Sequence, residues 1–277
     1  MSEPAVGESA VSESSAHVAL NGVVRHYDGP PAVHALGPID LAIPRGEFFS
    51  VVGPSGCGKS TLLDVLCGLV RPTSGSVRFE AKELHGEVPD GIGVVFQEDA
   101  SMPWLSVREN VAFGLRTSSL SKKEIAERVD HAVSFMGLAQ FAGHYPAQLS
   151  GGMRQRVCIA RTLVLRPRLI LLDEPFGALD QQTRLLMGDE LLRLWRETGA
   201  TVLLITHALD EAAMLSDRVG VMSARPGRFI DMVETGWPRE RDSRIATHED
   251  FGRLTSHLWS LLRDESLKAL GYRTAAE

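Results

Sequence analysis

The sequence predicts an α/β fold with a mostly parallel central sheet, an N-terminal antiparallel β subdomain and an inserted helical subdomain. Three observations carry that expectation. The segments "FFSVV" (48–52), "IGVVF" (92–96), "LILLD" (169–173) and "TVLLI" (201–205) are unbroken apolar runs of strand length, as expected of parallel strands covered on both faces. Helices separate most of them, and two helices open on glycine hinges, "GPSGCGKST" (53–61) and "LSGGMRQR" (149–156). Residues 98–148 carry helix signals and no such run.

In chain order, residues 1–16 lack the basic start and apolar stretch of a signal peptide, and their Ser, Glu and Ala content reads as a disordered lead-in. From 18 to about 46, "HVALNGVV" and "IDLAI" alternate with Gly and Pro turns, and "GSVRF" (75–79) adds a strand to the same antiparallel sheet. After the first glycine loop, Leu62, Val65, Leu66 and Leu69 form one helix face; after the second, Met153, Val157, Ala160 and Val164 do. Between them, Ser106–Glu109 and Ser121–Glu124 are capping-box patterns that start helices. Beyond about residue 225 the motifs thin out. A polar, Pro-containing linker (236–248) leads to one amphipathic helix at about 249–269, expected to pack on its own domain rather than pair with a twin or bind a regulator. The expected organisation is a lead-in at 1–16, a catalytic domain at 17–235 with a helical part at about 98–165, and a linker and helix at 236–277.

With 277 residues and 44% of them hydrophobic, the chain can bury a sizeable core unaided. A net charge of −6 with interspersed signs offers no basic face for nucleic acid. Cys57, Cys67 and Cys158 suit neither a disulfide framework nor a zinc site and read as two core residues and one loop residue. No run approaches the roughly 18–20 apolar residues of a membrane span, so any membrane role comes through a partner.

The chemistry begins at Gly53, Pro54, Ser55, Gly56, Cys57, Gly58, Lys59, Ser60 and Thr61, which match the Walker A spacing between a predicted strand and a predicted helix, the P-loop of nucleoside-triphosphatases. Its glycines let backbone N–H groups wrap phosphates at a helix N-terminus, Lys59 offers charge to the β- and γ-phosphates, and the Ser60 hydroxyl is a Mg²⁺ ligand. "LILLDEP" delivers Asp173 to the same ion and Glu174 to a water in line with the γ-phosphate, which favours hydrolysis over transfer. His207, just past the "TVLLI" strand, falls on the same sheet edge as a γ-phosphate sensor. Gln97 ends another strand there and can reach metal or water. Met102, Pro103, Trp104 and Leu105 after it suit either packing under the helical insertion or docking of a partner helix.

In this order, Walker A, Gln97, "LSGG", "LLDEP", "ALD" and "TH" make residues 18–224 resemble the nucleotide-binding subunits of ATP-binding cassette transporters. "PWLSVRENVAFGL", "DEPFGALD" and "SDRVGVMSARPGR" look like importers of nitrate, sulfonate, taurine and related compounds. The resemblance implies that Tyr27 stacks on adenine, Gln97 links the Mg²⁺ site to the permease-facing groove, Glu174 is the catalytic glutamate, Asp180 belongs to the loop crossing a dimer interface, and His207 is the switch histidine. It also implies that the helical segment receives a coupling helix from a membrane permease, which tips Met102–Leu105 toward docking. The subunit then works on the cytoplasmic face of the membrane, with a periplasmic or extracellular solute-binding protein as an indirect partner.

Ser150, Gly151 and Gly152 open a helix with free N–H groups, a hydroxyl and a positive helix end. A simple N-cap by Ser150 accounts for part of this. A second cradle beside Walker A is useful if it caps the γ-phosphate of another chain's ATP, so a homodimer or paired cassette is expected. Arg154, Arg156 and Arg161 on this helix read as a solvated face. Met153 stands where many relatives have Gln. The competing reading, a soluble cassette ATPase acting on nucleic acid or ribosomes, lacks a coiled-coil insertion and a basic surface here.

Overall fold

The computed structural model describes residues 16–97, 100–177 and 179–271. The expected disordered lead-in falls outside them except for Ala16, which already belongs to the first strand. Strands β1 (Ala16–Tyr27), β2 (Val33–Pro44) and β3 (Phe48–Val52) lead into α1 (Lys59–Leu66). Next come β4 (Ser74–Phe79), β5 (Lys82–Glu83) and β6 (Ile92–Val95), then α2 (Val107–Ala112), α3 (Lys122–Phe135) and α4 (Gly151–Leu163). The chain continues through β7 (Leu169–Asp173), α5 (Gln181–Thr198), β8 (Thr201–Ile205), α6 (Leu209–Leu215), β9 (Arg218–Met222), β10 (Phe229–Glu234) and α7 (Glu249–Ala269).

These strands form a four-stranded antiparallel sheet, ordered β2-β1-β4-β5, and a six-stranded sheet, ordered β10-β9-β3-β8-β7-β6. In the larger sheet every pair is parallel except β10 with β9. Side chains alternate across a strand, and here both faces are covered. Phe48, Val52, Ile170, Leu172, Val202 and Leu204 face one core with the helices, while Phe49, Val51, Leu169, Leu171, Leu203 and Ile205 face a second core with α1 and the antiparallel sheet. That two-sided burial is the physical reason the runs are unbroken.

Both capping boxes form, at Ser106 and Ser121, and start α2 and α3. The expected face of α1 is cut short. The helix ends at Leu66, and Leu69 is 55% exposed rather than buried with Leu62 and Val65. All three cysteines are buried, including Cys57 in the glycine loop. Two strands the sequence reading does not place, β9 and β10, complete the sheet.

The helix α7 packs on its own chain as expected, burying Phe251, Leu258 and Leu262 in the core shared with α5 and α6. The segment read as a linker is a docked strap. Trp237 Nε1 donates to the Ala213 carbonyl at 2.7 Å, and the buried Arg241 guanidinium donates to Asp217 at 2.7 Å. Arg241 and Arg239 lie 4.8 and 4.1 Å from the Trp195 ring, itself fully buried, edge-on to Phe48 and donating from Nε1 to the Gly46 carbonyl at 3.0 Å. Trp195→Ala removes a large side chain from the join between sheet and strap. It is expected to cost about 3–5 kcal/mol in equilibrium denaturation; a loss under about 1 kcal/mol would mean that the strap does not depend on this ring.

Candidate functional site

The carboxyl ends of β3, β6, β7, β8 and β9 share one edge of the parallel sheet, where open α/β sheets bind ligands. A cleft of about 470 Å³ opens there, lined by Ser55, Gly56, Gly58, Lys59, Ser60, Thr61, Gln97, Asp173, Glu174, His207 and Arg225. Most of the sequence-predicted residues are thus brought together. Gly53, Pro54 and Cys57 shape the loop from behind: the Gly53 and Pro54 carbonyls accept from Lys59 Nζ at 2.8 and 2.9 Å, and burial pushes the Cys57 thiol up, so it stays neutral. The loop needs glycine at 58, where φ is +113° and a Cβ would stand 2.7 Å from the Ala35 carbonyl oxygen.

Asp173 ends β7 with its carboxyl buried beside the Ser60 hydroxyl. Burial pushes its pKa up, Ser60 and Lys59 pull it back, and Glu174 raises it again. Among the described residues no group of three or more His, Cys, Asp or Glu is arranged to hold a metal ion. At a nucleotide phosphate site Mg²⁺ takes one or two protein oxygens and completes its shell with phosphate oxygens and water. The pairing of one buried carboxylate with one hydroxyl fits it.

Glu174 follows in a left-handed backbone conformation, φ +46°, which costs a non-glycine residue about 1–3 kcal/mol and is held by its N–H donating to the Ile205 carbonyl at 2.8 Å. The turn aims the side chain into the cleft. Its two oxygens have separate partners: Gln97 Nε2 donates to one at 2.9 Å, and His207 Nδ1 lies 3.1 Å from the other. Residues from two other strand ends, Gln97 and His207, therefore converge on the Glu174 carboxylate. The arrangement can orient a water beside a phosphate and accept its proton.

Five predicted site residues, Tyr27, Ser150, Gly151, Gly152 and Asp180, stand apart from this lining. Tyr27 ends β1 half-buried, with the Arg25 guanidinium 4.4 Å from its ring centroid. Ser150 caps α4, its hydroxyl accepting from the Met153 N–H at 3.3 Å, and helix geometry gives the Gly151 and Gly152 N–H groups no intrahelical acceptor. A Cβ on Gly152 would lie 2.5 Å from Leu179 Cδ2, so a larger residue here must push the end of that leucine aside. Asp180 caps α5, accepting from the Thr183 N–H at 3.0 Å and the Thr183 hydroxyl at 2.6 Å, which hold its pKa down.

The arginines of α4 are more than a solvated face. Arg154, Arg156 and Arg161 donate to the Leu149, Met136 and Ala100 carbonyls and tie the helix to neighbouring segments. The apolar stretch after Gln97 divides. Leu105 is buried and Met102 half-buried, because Asn110 binds the Met102 and Leu105 backbone, whereas Trp104 is 71% exposed. Sequence reasoning missed Arg225 as a cleft residue; its only signal is a basic side chain just past β9, a strand that reasoning did not place.

Comparison with known proteins gives three results. A profile of the family described as ABC transporter matches residues 36–177. An ABC transporter ATP-binding protein of Methanocaldococcus jannaschii is 46% identical over 238 residues, covering 86% of this chain and 88% of the relative, and a taurine import ATP-binding protein of Ruegeria pomeroyi is 37% identical over 270 residues, covering 94% and 99%. Among solved structures, a dimeric ATP-binding cassette in a post-hydrolysis state with ADP and phosphate superposes with a TM-score of 0.71 at 33% identity, covering 80% of this chain and 100% of that one.

Proposed function

The chain belongs to the ABC transporter family and is an ATPase of the P-loop fold, and from that premise we propose that it energises import of small nitrate-, sulfonate- or taurine-like solutes through a separate membrane permease. ATP is the substrate. The loop N–H groups and Lys59 hold its β- and γ-phosphates, with Tyr27 against the adenine. Ser60 and Asp173, with Gln97 adjacent, would hold Mg²⁺, which when bound would offset the phosphate charge. Glu174 accepts the proton of the attacking water as the new P–O bond forms and the bond to ADP breaks, and His207 senses the γ-phosphate.

The observation that carries the reading is that the Ser150–Gly152 cradle stands outside the chain's own cleft, so one chain presents two complementary half-sites. In a head-to-tail dimer each cradle caps the other's γ-phosphate, with Asp180 at the seam, and ATP binding closes what hydrolysis opens. The dimeric cassette with ADP and phosphate supports this closure, and the taurine import relative supports the solute class. Among the described residues no helix is long and apolar enough to cross a membrane, which fits a peripheral subunit docked on the cytoplasmic side through the face bearing Trp104. A solute-binding protein would be met only through the permease, and nucleic acid is not a partner.

Co-purification of the tagged chain from detergent-solubilised membranes tests this. A stoichiometric polytopic membrane protein, lost on Trp104→Glu without loss of ATPase activity, is the expected result. Recovery of only ribosomal or nucleic-acid-bound partners would overturn it.

A further inference from the structure

The loop between β9 and β10, residues 223–228, lies against the Walker A loop and is gripped from three sides. From β2, the Ala35 carbonyl accepts from the Gly227 N–H at 3.1 Å, and the Gly37 N–H donates back to the Gly227 carbonyl at 2.9 Å. From the phosphate loop, the Cys57 carbonyl oxygen approaches so closely that a Cβ on Gly227 would stand 2.2 Å from it. From α7, Glu265 accepts from the Ala224 N–H at 2.7 Å. Arg225, held between these anchors, donates from Nε and Nη2 to the Gly56 carbonyl at 3.1 and 3.0 Å and lines the nucleotide cleft.

A phosphate-binding loop works when its N–H groups point inward, so its carbonyls must point away and find donors elsewhere. Two N–H groups of one planar guanidinium converge on the single Gly56 carbonyl oxygen, a paired contact that one donor cannot make. Glu265 is 9% exposed. Burial pushes its pKa up, but the Lys268 ammonium at 2.7 Å and the Ala224 N–H more than offset this, and the carboxylate stays ionised and able to accept.

We infer that Arg225 is a positioning residue of the ATP site, aligning the Walker A loop through the Gly56 carbonyl and adding positive charge at the cleft rim, and that Glu265 anchors its loop from α7. The C-terminal helix, to which the import reading assigns no task, thereby contributes to nucleotide affinity. The inference rests on the ATP site alone and not on solute import.

Binding of a fluorescent ATP analogue to the full-length chain tests it, with thermal unfolding measured without nucleotide and Lys59→Ala as control. Arg225→Ala is expected to weaken binding about tenfold, the scale of one lost charge-assisted contact. Its melting temperature should stay within about 2 °C of the parent. Arg225→Lys, a point charge that cannot put two fixed N–H groups on the Gly56 carbonyl, should recover only part of the affinity. Glu265→Ala should weaken binding about threefold and Glu265→Gln should bind as the parent, since an amide oxygen still accepts from the Ala224 N–H. In steady state Arg225→Ala should raise KM with kcat little changed, the pattern of lost uniform binding. The inference is overturned if Arg225→Ala binds within about twofold of the parent, or if its affinity loss is matched by a fall in melting temperature. If Lys59→Ala also binds like the parent, the site assignment itself fails; if Lys59→Ala alone loses binding, only the role of Arg225 does.

Discussion

Glu174→Gln is expected to lower ATP turnover about a thousandfold while the chain still binds ATP, because it removes the proton acceptor and little else. The substitution is nearly isosteric, and the left-handed turn at 174 is set by the backbone bond to Ile205, which does not depend on the side chain. The carboxylate now accepts from Gln97 through one oxygen and faces His207 through the other. An amide keeps one acceptor for Gln97 or for a protonated His207 and cannot take a proton from water. If hydrolysis opens the dimer, blocking it should also trap the closed form, so the variant should run as a dimer in gel filtration with ATP and Mg²⁺ and as a monomer with ADP. Phosphate release within about tenfold of the parent would remove Glu174 from the proton-accepting role. A monomer with ATP bound would defeat the closed-dimer reading while leaving the site intact.

How much of this was legible in sequence depended on what each segment must satisfy. The strands β3, β7 and β8 announce themselves because each is fully buried on both faces, so apolar residues fill every position but Ser50 and the end positions Asp173 and Thr201. By contrast β9, "RVGVM", carries Gly220, pressed against the rings of Phe49 and Phe229, and β10 is a half-exposed edge strand with acids at 231 and 234, so neither shows a long apolar run. The pattern of α1 misled at Leu69 because periodicity does not report where a helix stops. Site residues were legible where the chemistry needs a contiguous motif, as at 53–61 and 173–174. Arg225 was not, since its value comes from β9 lying beside β3 in the sheet, a tertiary fact with no local signature.

The strongest separation of the two half-sites comes from Gly152→Asp in the Glu174→Gln background. The substitution puts a carboxylate at the start of α4, where the N–H groups of Gly151 and Gly152 and the helix dipole otherwise favour an anion. The new Cβ would meet Leu179 Cδ2 at 2.5 Å, so the end of that leucine side chain must shift whichever way the carboxylate turns, and the carboxylate can then point inward or outward into the anion's place. In the outward case a negative charge faces a triphosphate within a few ångströms, a repulsion of several kcal/mol at the effective dielectric of a protein surface. ATP-driven dimerisation should therefore weaken at least about 100-fold, equivalent to about 2.7 kcal/mol. Affinity of the single chain for ATP should stay within about twofold, because the cradle lies outside that chain's own cleft. Sedimentation velocity across a concentration series gives the first quantity and analogue binding at low protein concentration the second. If both fall together, the cradle serves its own nucleotide and the trans arrangement is wrong. If only dimerisation falls, "LSGG" is the half of an ATP site that one chain lends to its neighbour. Glycine at 152 then serves the approach to the partner's phosphate, and its packing against the Leu179 side chain is the lesser constraint.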